Sequence, residues 1–444
     1  MKPLEKIRQQ SYWLLDSLKG SSQKKDLDDV AYIMSHWGEP NVEKKHKAYL
    51  KEILDYAVKT IPYYKQFEGY SKLEDFPVIN KATIRGHEGQ FFSPEYDMDK
   101  MFRQETSGST GVPFVVFQDP RKRRRATADT LFFSKLAHYE LGSRLYFSRV
   151  WEARTVRSPW TCFKQNWVMH NASNLSDYDL KNLLDTLTKD DSTKSVILFA
   201  STLTAIAKYV ERENINPTCE IASFITISEA LEPWTKQIIE KRFKTPVFSR
   251  YSNQELGIMG QHIEGSNEFM VNVASFHIEI LDMEEDKPAK VGDEGRIVVT
   301  DLFNRAVPLI RYDTGDVAIL KSTPTPGIKV PVFEKVGGRR VDYIFDTKGN
   351  MVSPYVINTP MHEFLEIQQY QFIQEGAKDY KMLLNLCSND EFKREDEMVE
   401  MLKSFLGKDA VIFVEYVKEI PVLKSGKRKQ VVNNYKQFLC LKRK

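Results

Sequence analysis

Residues Glu105 to Phe117 read Glu-Thr-Ser-Gly-Ser-Thr-Gly-Val-Pro-Phe-Val-Val-Phe. Thr106, Ser107, Ser109 and Thr110 wrap four hydroxyl side chains around Gly108 and Gly111. The two glycines permit positive φ, so backbone N–H groups can converge on one point. Hydroxyls and N–H groups aimed at one point suit an oxyanion with several acceptor oxygens, such as a polyphosphate. This is not a Walker A loop, because no Lys-Ser or Lys-Thr pair follows the last glycine. A polar hairpin turn has the same residue types, and from this stretch alone both readings stand.

Five more stretches carry groups that could do chemistry. Ser228-Glu229-Ala230 closes an apolar run, and Arg250-Tyr251-Ser252-Asn253-Gln254-Glu255 closes another. Pro308-Leu309-Ile310-Arg311-Tyr312-Asp313-Thr314-Gly315-Asp316 ends in a carboxylate that reads as part of a turn. An Asp in a turn usually bonds its own backbone, but two acceptor oxygens side by side also match a ribose diol. Gly337-Gly338 before Arg339-Arg340-Val341-Asp342 has the flexibility of a hinge. Ser425-Gly426-Lys427 near the C-terminus is a basic loop that could carry Lys427 to a distant site or be a solvated tail.

The elements that would position these groups follow from periodicity. Residues Met1 to Gln66 read as helical scaffold, with Leu4, Ile7, Tyr12, Trp13, Leu15 and Leu18 as one apolar stripe. Tyr49, Ile53, Tyr56 and Ala57 form a second stripe, stopped by Ile61-Pro62. Phe76 to Lys81 reads as an extended piece entering a helix capped near Asn80. A strand covers Val112 to Phe117, and Asp119-Pro120 opens the next helix. Its first turn is Arg121-Lys122-Arg123-Arg124-Arg125, which opposes the helix dipole and reads as a solvated turn or as a surface facing the anion of the preceding loop. Strands at 145–151, 196–201, 224–230 and 246–251 alternate with helices, the pattern of a mostly parallel sheet with helices on its faces. Ligands in such sheets bind beyond the carboxyl ends of the strands. Alternating runs at 276–281 and 295–300 imply an antiparallel subdomain over 272–320. Strands near Tyr370 and Met382, a helix over 394–406 and a strand at 411–417 imply a small α+β domain. The reading is an α/β protein with a large domain over 1–340 and a small mobile domain over 341–444.

Composition sets limits. A chain of 444 residues exceeds one hydrophobic core. A net charge of +3 gives no case for nucleic-acid binding, and the basic run lacks interleaved aromatics. The four cysteines, Cys162, Cys219, Cys387 and Cys440, lie far apart, which speaks against a zinc site or a disulfide framework and fits a reducing cytoplasm. No apolar run reaches the roughly eighteen residues of a membrane span.

Taken in order, five motifs resemble one family. They are Thr106-Ser-Gly-Ser-Thr-Gly111, Ser228-Glu-Ala230, Tyr251-Ser-Asn-Gln-Glu255, Arg311-Tyr-Asp-Thr-Gly-Asp316, and Gly338-Arg339 with Ser425-Gly-Lys427. They resemble the AMP-forming acyl- and aryl-CoA synthetase superfamily, in its phenylacetate–CoA ligase-like branch with capsular-polysaccharide-associated relatives. The resemblance covers most of the chain from about Tyr56 onward. It implies attack of a carboxylate on the α-phosphate of ATP, release of pyrophosphate, and acyl transfer from the adenylate. Thr106 to Gly111 would hold the β- and γ-phosphates, and Glu255 would bind Mg²⁺. Ser228, Glu229 and Ala230 would line the adenine, with Tyr251, Ser252 and Asn253 also in the nucleotide site. Asp316 would grip the ribose with help from Arg339, and Lys427 would bridge carboxylate and α-phosphate. CoA is the expected acceptor; an amine, a sugar or a carrier protein is the alternative. A non-catalytic ATP-binding relative is a further reading, against which the presence of Lys427 speaks. The partner is a small carboxylic acid; Tyr139, Phe147, Trp151 and Tyr251 read either as core aromatics or as a flat apolar pocket for an aryl acid, and a homodimer is compatible with the family.

The chain departs from the family pattern at four places. Ser252 stands where a small residue is usual, and Gln254 where a hydroxyl residue precedes the glutamate. Val341 replaces the first of two paired hinge aspartates. Phe114 occupies the position at which many superfamily loops carry a lysine, although the phenylacetate branch also tends to lack it.

Overall fold

The computed structural model describes residues 2–87, 89–106, 114–149, 151, 156–172, 175–339, 344–352, 354–387, 392–420 and 429–435. Three helices open the chain: α1 (Pro3–Leu18), α2 (Ser22–His36) and α3 (Pro40–Thr60). Proline at the first turn starts α1 and α3, and α3 stops at Ile61, whose extended φ and ψ are imposed by Pro62. The short α4 (Lys81–Gly86) is capped by Asn80, whose side chain accepts from the Ala82 and Thr83 N–H groups. β1 (Phe102–Thr106) and β2 (Phe114–Gln118) precede α5 (Pro120–Leu136), which Asp119 caps. Next come β3 (Arg144–Arg149), α6 (Pro159–Gln165), β4 (Trp167–Asn171), α7 (Asp177–Lys189), β5 (Lys194–Phe199), α8 (Ala200–Arg212), β6 (Ile221–Ile227) and α9 (Pro233–Phe243). Seven strands follow: β7 (Val247–Asn253), β8 (Gly257–His262), β9 (Phe269–Val271), β10 (Phe276–Leu281), β11 (Glu294–Asp301), β12 (Tyr312–Leu320) and β13 (Val332–Arg339). The chain continues through β14 (Ile344–Phe345), β15 (Met351–Val352), α10 (Pro354–Asn358), β16 (Ile367–Gln374), β17 (Asp379–Leu386), α11 (Glu395–Leu406), β18 (Val411–Tyr416) and β19 (Val431–Asn433).

The chain divides into two compact units. The first contains residues Met1–Ser143, Lys164–Asn166 and Phe248–Val336. Its strands run in the order β10-β11-β12-β13-β9-β8-β7, and the pairs β10/β11, β11/β12, β13/β9, β9/β8 and β8/β7 are antiparallel. The antiparallel region is therefore wider than the expected 272–320, reaching from β7 to β13. Its core joins α2, α3 and α5 to the strands through Val30, Ile33, Leu54, Phe133, Phe276, Val299 and Tyr312.

Two sequence expectations are corrected in this unit. The aliphatic members of the α1 stripe, Leu4, Ile7, Leu15 and Leu18, are exposed, while Tyr12 and Trp13 are partly buried. The helix is held instead on the side of buried Glu5, where Gly142 at φ +95 lets the backbone approach so closely that an added Cβ would lie 2.5 Å from the Glu5 carbonyl oxygen. The basic run of α5 is not a solvated turn. Lys122 reaches Asp301 at 2.7 Å, Arg125 reaches Asp29 at 2.6 Å, Arg121 reaches Glu52 at 2.7 Å and Arg124 reaches Asp26 at 3.3 Å. Arg123 lies over the Phe102 ring. These charges clamp α5 to α2, α3 and β11, and the acidic partners offset the unfavourable helix dipole.

The second unit contains Arg144–Phe163, Trp167–Val247 and Gly337–Lys444. In its first part the order β6-β5-β3-β4 is parallel throughout, with a core of apolar residues from α7, α8 and α9. In its last part β18-β17-β16-β19 form a mixed sheet: β16 and β17 are antiparallel, and each pairs in parallel with an outer strand. Phe372, Met382, Leu384, Met398 and Leu402 fill the space between that sheet and α11. The sequence reading passed over α6, β4 and α7.

Candidate functional site

Within the first unit the structure gathers several of the expected residues around Glu255. This glutamate sits in the turn between β7 and β8, with its side chain 3% exposed. The turn is tight because Asn253 Oδ1 accepts from the Leu256 N–H at 2.8 Å and Gly257 adopts φ +103. The β7/β8 register slips by one residue between Tyr251 and Ser252, a bulge that re-aims the side chains beyond it. The Glu255 backbone carbonyl accepts from Gln118 on β2 at 3.3 Å, which fixes the turn against the strand that follows the glycine loop.

Among the described residues, two groups meet the Glu255 carboxylate. Lys81 Nζ lies 2.5 Å from Oε1, and the Tyr312 hydroxyl donates to the same oxygen at 3.4 Å. Burial, and then the Glu255 charge, push the Tyr312 phenol well above its ordinary pKa, so it stays a donor. The segment that carries Lys81 is pinned to β12. The Ile79 N–H donates to the Arg311 carbonyl at 3.0 Å, and the Asp313 N–H donates to the Ile79 carbonyl at 2.8 Å.

Asp316 belongs to the same neighbourhood through Tyr251, whose hydroxyl donates to Asp316 Oδ2 at 3.0 Å and lies 3.4 Å from Thr314 Oγ1. Here the structure corrects the sequence reading, since residues 312–316 lie inside β12 rather than in a turn. The other polar members of this motif are structural. Arg311 makes a two-pronged pair with Glu279 at 3.0 and 3.1 Å, and Asp313 accepts from Arg296 at 3.0 Å. Holding Arg311 at φ +50 costs backbone strain, which these bonds and its bond to the Phe76 carbonyl offset.

The phosphate-loop candidates are flanked rather than seen. Thr106 and Phe114 are paired across β1 and β2, so the two chain ends entering 107–113 are adjacent. Ser107, Gly108, Ser109, Thr110 and Gly111 lie outside the described residues, as do Lys427 and Val341. Arg339 ends β13, and its side chain also lies outside. Gly337 and Gly338 continue that strand.

The second unit holds the Ser228-Glu229-Ala230 candidate. Ser228 adopts φ +71 just after β6, an uncommon conformation for a residue with a Cβ. Glu229 Oε2 accepts from the Ser201 N–H at 2.8 Å, so this carboxylate serves the positive N-terminus of α8. The four aromatics offered for an aryl acid divide between the units. Phe147 and Trp151 pack edge to face in the second, while Tyr139 and Tyr251 belong to the first.

Lys81 and Tyr312 are the site residues that the sequence reading missed. A signal for Lys81 was present: a superfamily loop without its lysine invites a search for another cation, and Lys81 follows a cap residue.

Comparison with known proteins gives the frame for this geometry. Residues 344–434 match the family described as the CapK C-terminal domain. Protein CapK of Staphylococcus aureus is 23% identical over 384 residues, covering 82% of this chain and 81% of CapK. A 2-hydroxyisobutyryl-CoA ligase in the postadenylation state, in complex with R3-HIB-AMP, superposes with a TM-score of 0.71 at 16% identity, covering 92% of each chain. The anthranilate CoA ligase AuaEII, in complex with anthranoyl-AMP, gives 0.53 at 13% identity over 76% of this chain and 66% of its own. No described helix is long and apolar enough to cross a membrane. The chain thus has the fold of the AMP-forming CoA ligases, as its motifs suggest, and over residues 344–434 it resembles CapK in its C-terminal domain.

Proposed function

We propose that this protein activates a small carboxylic acid with ATP and passes the acyl group to CoA. In the first step a carboxylate oxygen attacks the α-phosphorus, the Pα–O bond to pyrophosphate breaks, and an acyl-adenylate forms. In the second, a thiolate attacks the acyl carbonyl and AMP leaves. The observation that carries the reading is Glu255 in a buried turn bonded to β2, joined through Lys81 to Phe114 at the base of the glycine loop and through Tyr312 to the strand that holds Asp316.

In this reading Asp316 binds the ribose hydroxyls, positioned by Tyr251, and Arg339 assists. Thr106, Ser107, Gly108, Ser109, Thr110 and Gly111 hold the β- and γ-phosphates. Ser228, Glu229 and Ala230 line the adenine through their backbone, since the Glu229 carboxylate is engaged at α8. Tyr251, Ser252 and Asn253 complete the nucleotide wall. Glu255 would hold Mg²⁺: its carboxylate is buried, already carries one cation, and offers the hard oxygen that this ion prefers. The ion would supply neutralisation of phosphate charge when bound. Lys427 would place a positive charge where the carboxylate meets the α-phosphate. The likeness to CapK keeps a second reading in view, in which the acceptor is an amine, a sugar or a carrier protein.

Carboxylate-dependent ATP–pyrophosphate exchange with Mg²⁺ and a panel of aryl, fatty and hydroxy acids tests the first step. Exchange with one acid class is expected. Replacing Lys427 by Ala should lower that exchange by about 10²-fold or more with ATP binding kept. Silence across the panel by a protein that binds ATP would favour a non-catalytic binder. Transfer to CoA, tested next, separates thiol from other acceptors.

A further inference from the structure

The position that carries a lysine in many loops of this type is Phe114 here, yet a lysine ammonium stands beside that residue. Lys81 Nζ lies 5.5 Å from the centre of the Phe114 ring and 2.5 Å from Glu255 Oε1. Arg85, one turn further along α4, stands 5.9 Å from the same ring. Residues four apart share a helix face, so α4 presents two cations to the base of the glycine loop. The Lys81 side chain keeps 30% of its surface exposed while its partner keeps 3%, so it reaches from a wet opening to a buried carboxylate.

The position is built, not incidental. Asn80 caps α4, Ile79 is bonded on both sides to β12, and Arg311 holds the Phe76 carbonyl at 3.0 Å. Lys81 cannot drift along the sheet without breaking these bonds. Its four-carbon stem can still swing, because the contacts fix the backbone and leave the ammonium to choose between Glu255 and any nearby anion.

From this we infer that Lys81 is a phosphate-positioning residue that takes the place of the missing loop lysine. In the empty protein it neutralises Glu255 at the site where a divalent cation would sit. With metal-bound ATP, Glu255 would hold the metal and the Lys81 ammonium would turn to the β- and γ-phosphates. The inference rests on the proposed ATP site and adds to it both a residue and an exchange of cations. No bond is made or broken by Lys81; it moves charge by moving its ammonium.

Calorimetry on the full chain tests it, with ATP, inorganic pyrophosphate and AMP as probes, with and without Mg²⁺, for the wild type, Lys81→Met and Lys81→Arg. Lys81→Met should weaken ATP and pyrophosphate by at least about tenfold while AMP stays within about twofold, since AMP lacks the phosphates concerned. Lys81→Arg should recover part of the loss, because it keeps the charge. Mg²⁺ alone should raise the melting temperature of Lys81→Met more than that of the wild type, because the carboxylate is then free to take the ion. Parallel loss of ATP and AMP in both variants would reduce Lys81 to a support for Glu255 and overturn the inference. Unchanged pyrophosphate affinity would overturn it too. A wild type that binds neither ATP nor pyrophosphate would bring down the proposed nucleotide site, and this inference with it.

Discussion

Lys122 and Asp301 have no exposed surface, and their charged groups stand 2.7 Å apart. The Lys122 ammonium also lies 4.5 Å from the centre of the Phe276 ring. Contact here is ionic rather than an aligned hydrogen bond, so the pair depends on both charges being present. Lys122→Met removes the cation and leaves a carboxylate in an apolar core. It should cost about 3–5 kcal/mol, read from urea unfolding. The double variant Lys122→Met with Asp301→Asn should cost clearly less than the sum of the two single changes. Additive losses would mean that the pair is not coupled. Three other cations of the same helix are engaged inside the unit as well, since Arg121, Arg124 and Arg125 each hold a carboxylate.

Among the elements, α4 is the shortest helix near the candidate site, with six residues. A helix this short has little stability of its own and depends on its cap and on tertiary contacts. Asn80 Oδ1 accepts from the Ala82 N–H at 2.9 Å and the Thr83 N–H at 3.0 Å. Asn80→Ala should cost about 1 kcal/mol and weaken pyrophosphate binding by no more than about fivefold. Calorimetry with pyrophosphate, read beside urea unfolding, checks both numbers. A loss as large as that of Lys81→Met would place the effect in the fold of α4 rather than in the ammonium. The bulged β7–β8 hairpin solves a similar problem, fixing Glu255 by its backbone so that the carboxylate can remain in a site with few polar neighbours.

On the scale of the whole molecule, the second unit is assembled from stretches far apart in sequence, and Lys208 spans them. Its buried ammonium donates to the Ile367 carbonyl at 2.7 Å and to the Phe364 carbonyl at 3.3 Å. Gln368 returns a bond to the Leu175 carbonyl at 2.7 Å. Burial brings the Lys208 pKa down to about 8, while Cys387 and Glu366 raise it and Arg212 lowers it. The sign follows from proton counting. Between pH 8 and the ordinary lysine value of roughly 10.4, the unfolded chain binds the proton and the folded one does not, so stability rises with pH. Below pH 8 both states are charged and the slope vanishes. Relative to Lys208→Met, the wild type should therefore gain about 2 kcal/mol between pH 8 and 9.5. Tryptophan fluorescence in urea reports on this unit, because Trp151, Trp160, Trp167 and Trp234 lie in it. Equal pH dependence in the two proteins would show that Lys208 does not titrate in this range.

The sequence by itself determined the elements whose cues are local. Pro233 to Phe243 reads as a helix and forms one with those limits, since proline at its start and an apolar face need no distant partner. Strands also form at β10 and β18 close to the expected limits and at β5 and β6 two to three residues earlier than expected, and Asn80 caps α4 as read. The sequence also carried the order of the five motifs, and with it the likeness to adenylating ligases. Only the tertiary structure decided what charges and apolar faces do, because neither a counter-ion nor a covering surface is written next to the residue it meets. The basic run of α5 finds its acids up to about 180 residues away, at Asp301, while the leucines of α1 stay uncovered. Asp316 looks like a turn residue until β11 pairs with the start of β12 and draws its motif into a sheet. Lys81 looks like the first residue of a helix until Ile79 joins β12 and brings its ammonium to Glu255. Long-range pairing of backbone is what converts such residues into a site, and local pattern carries no term for it.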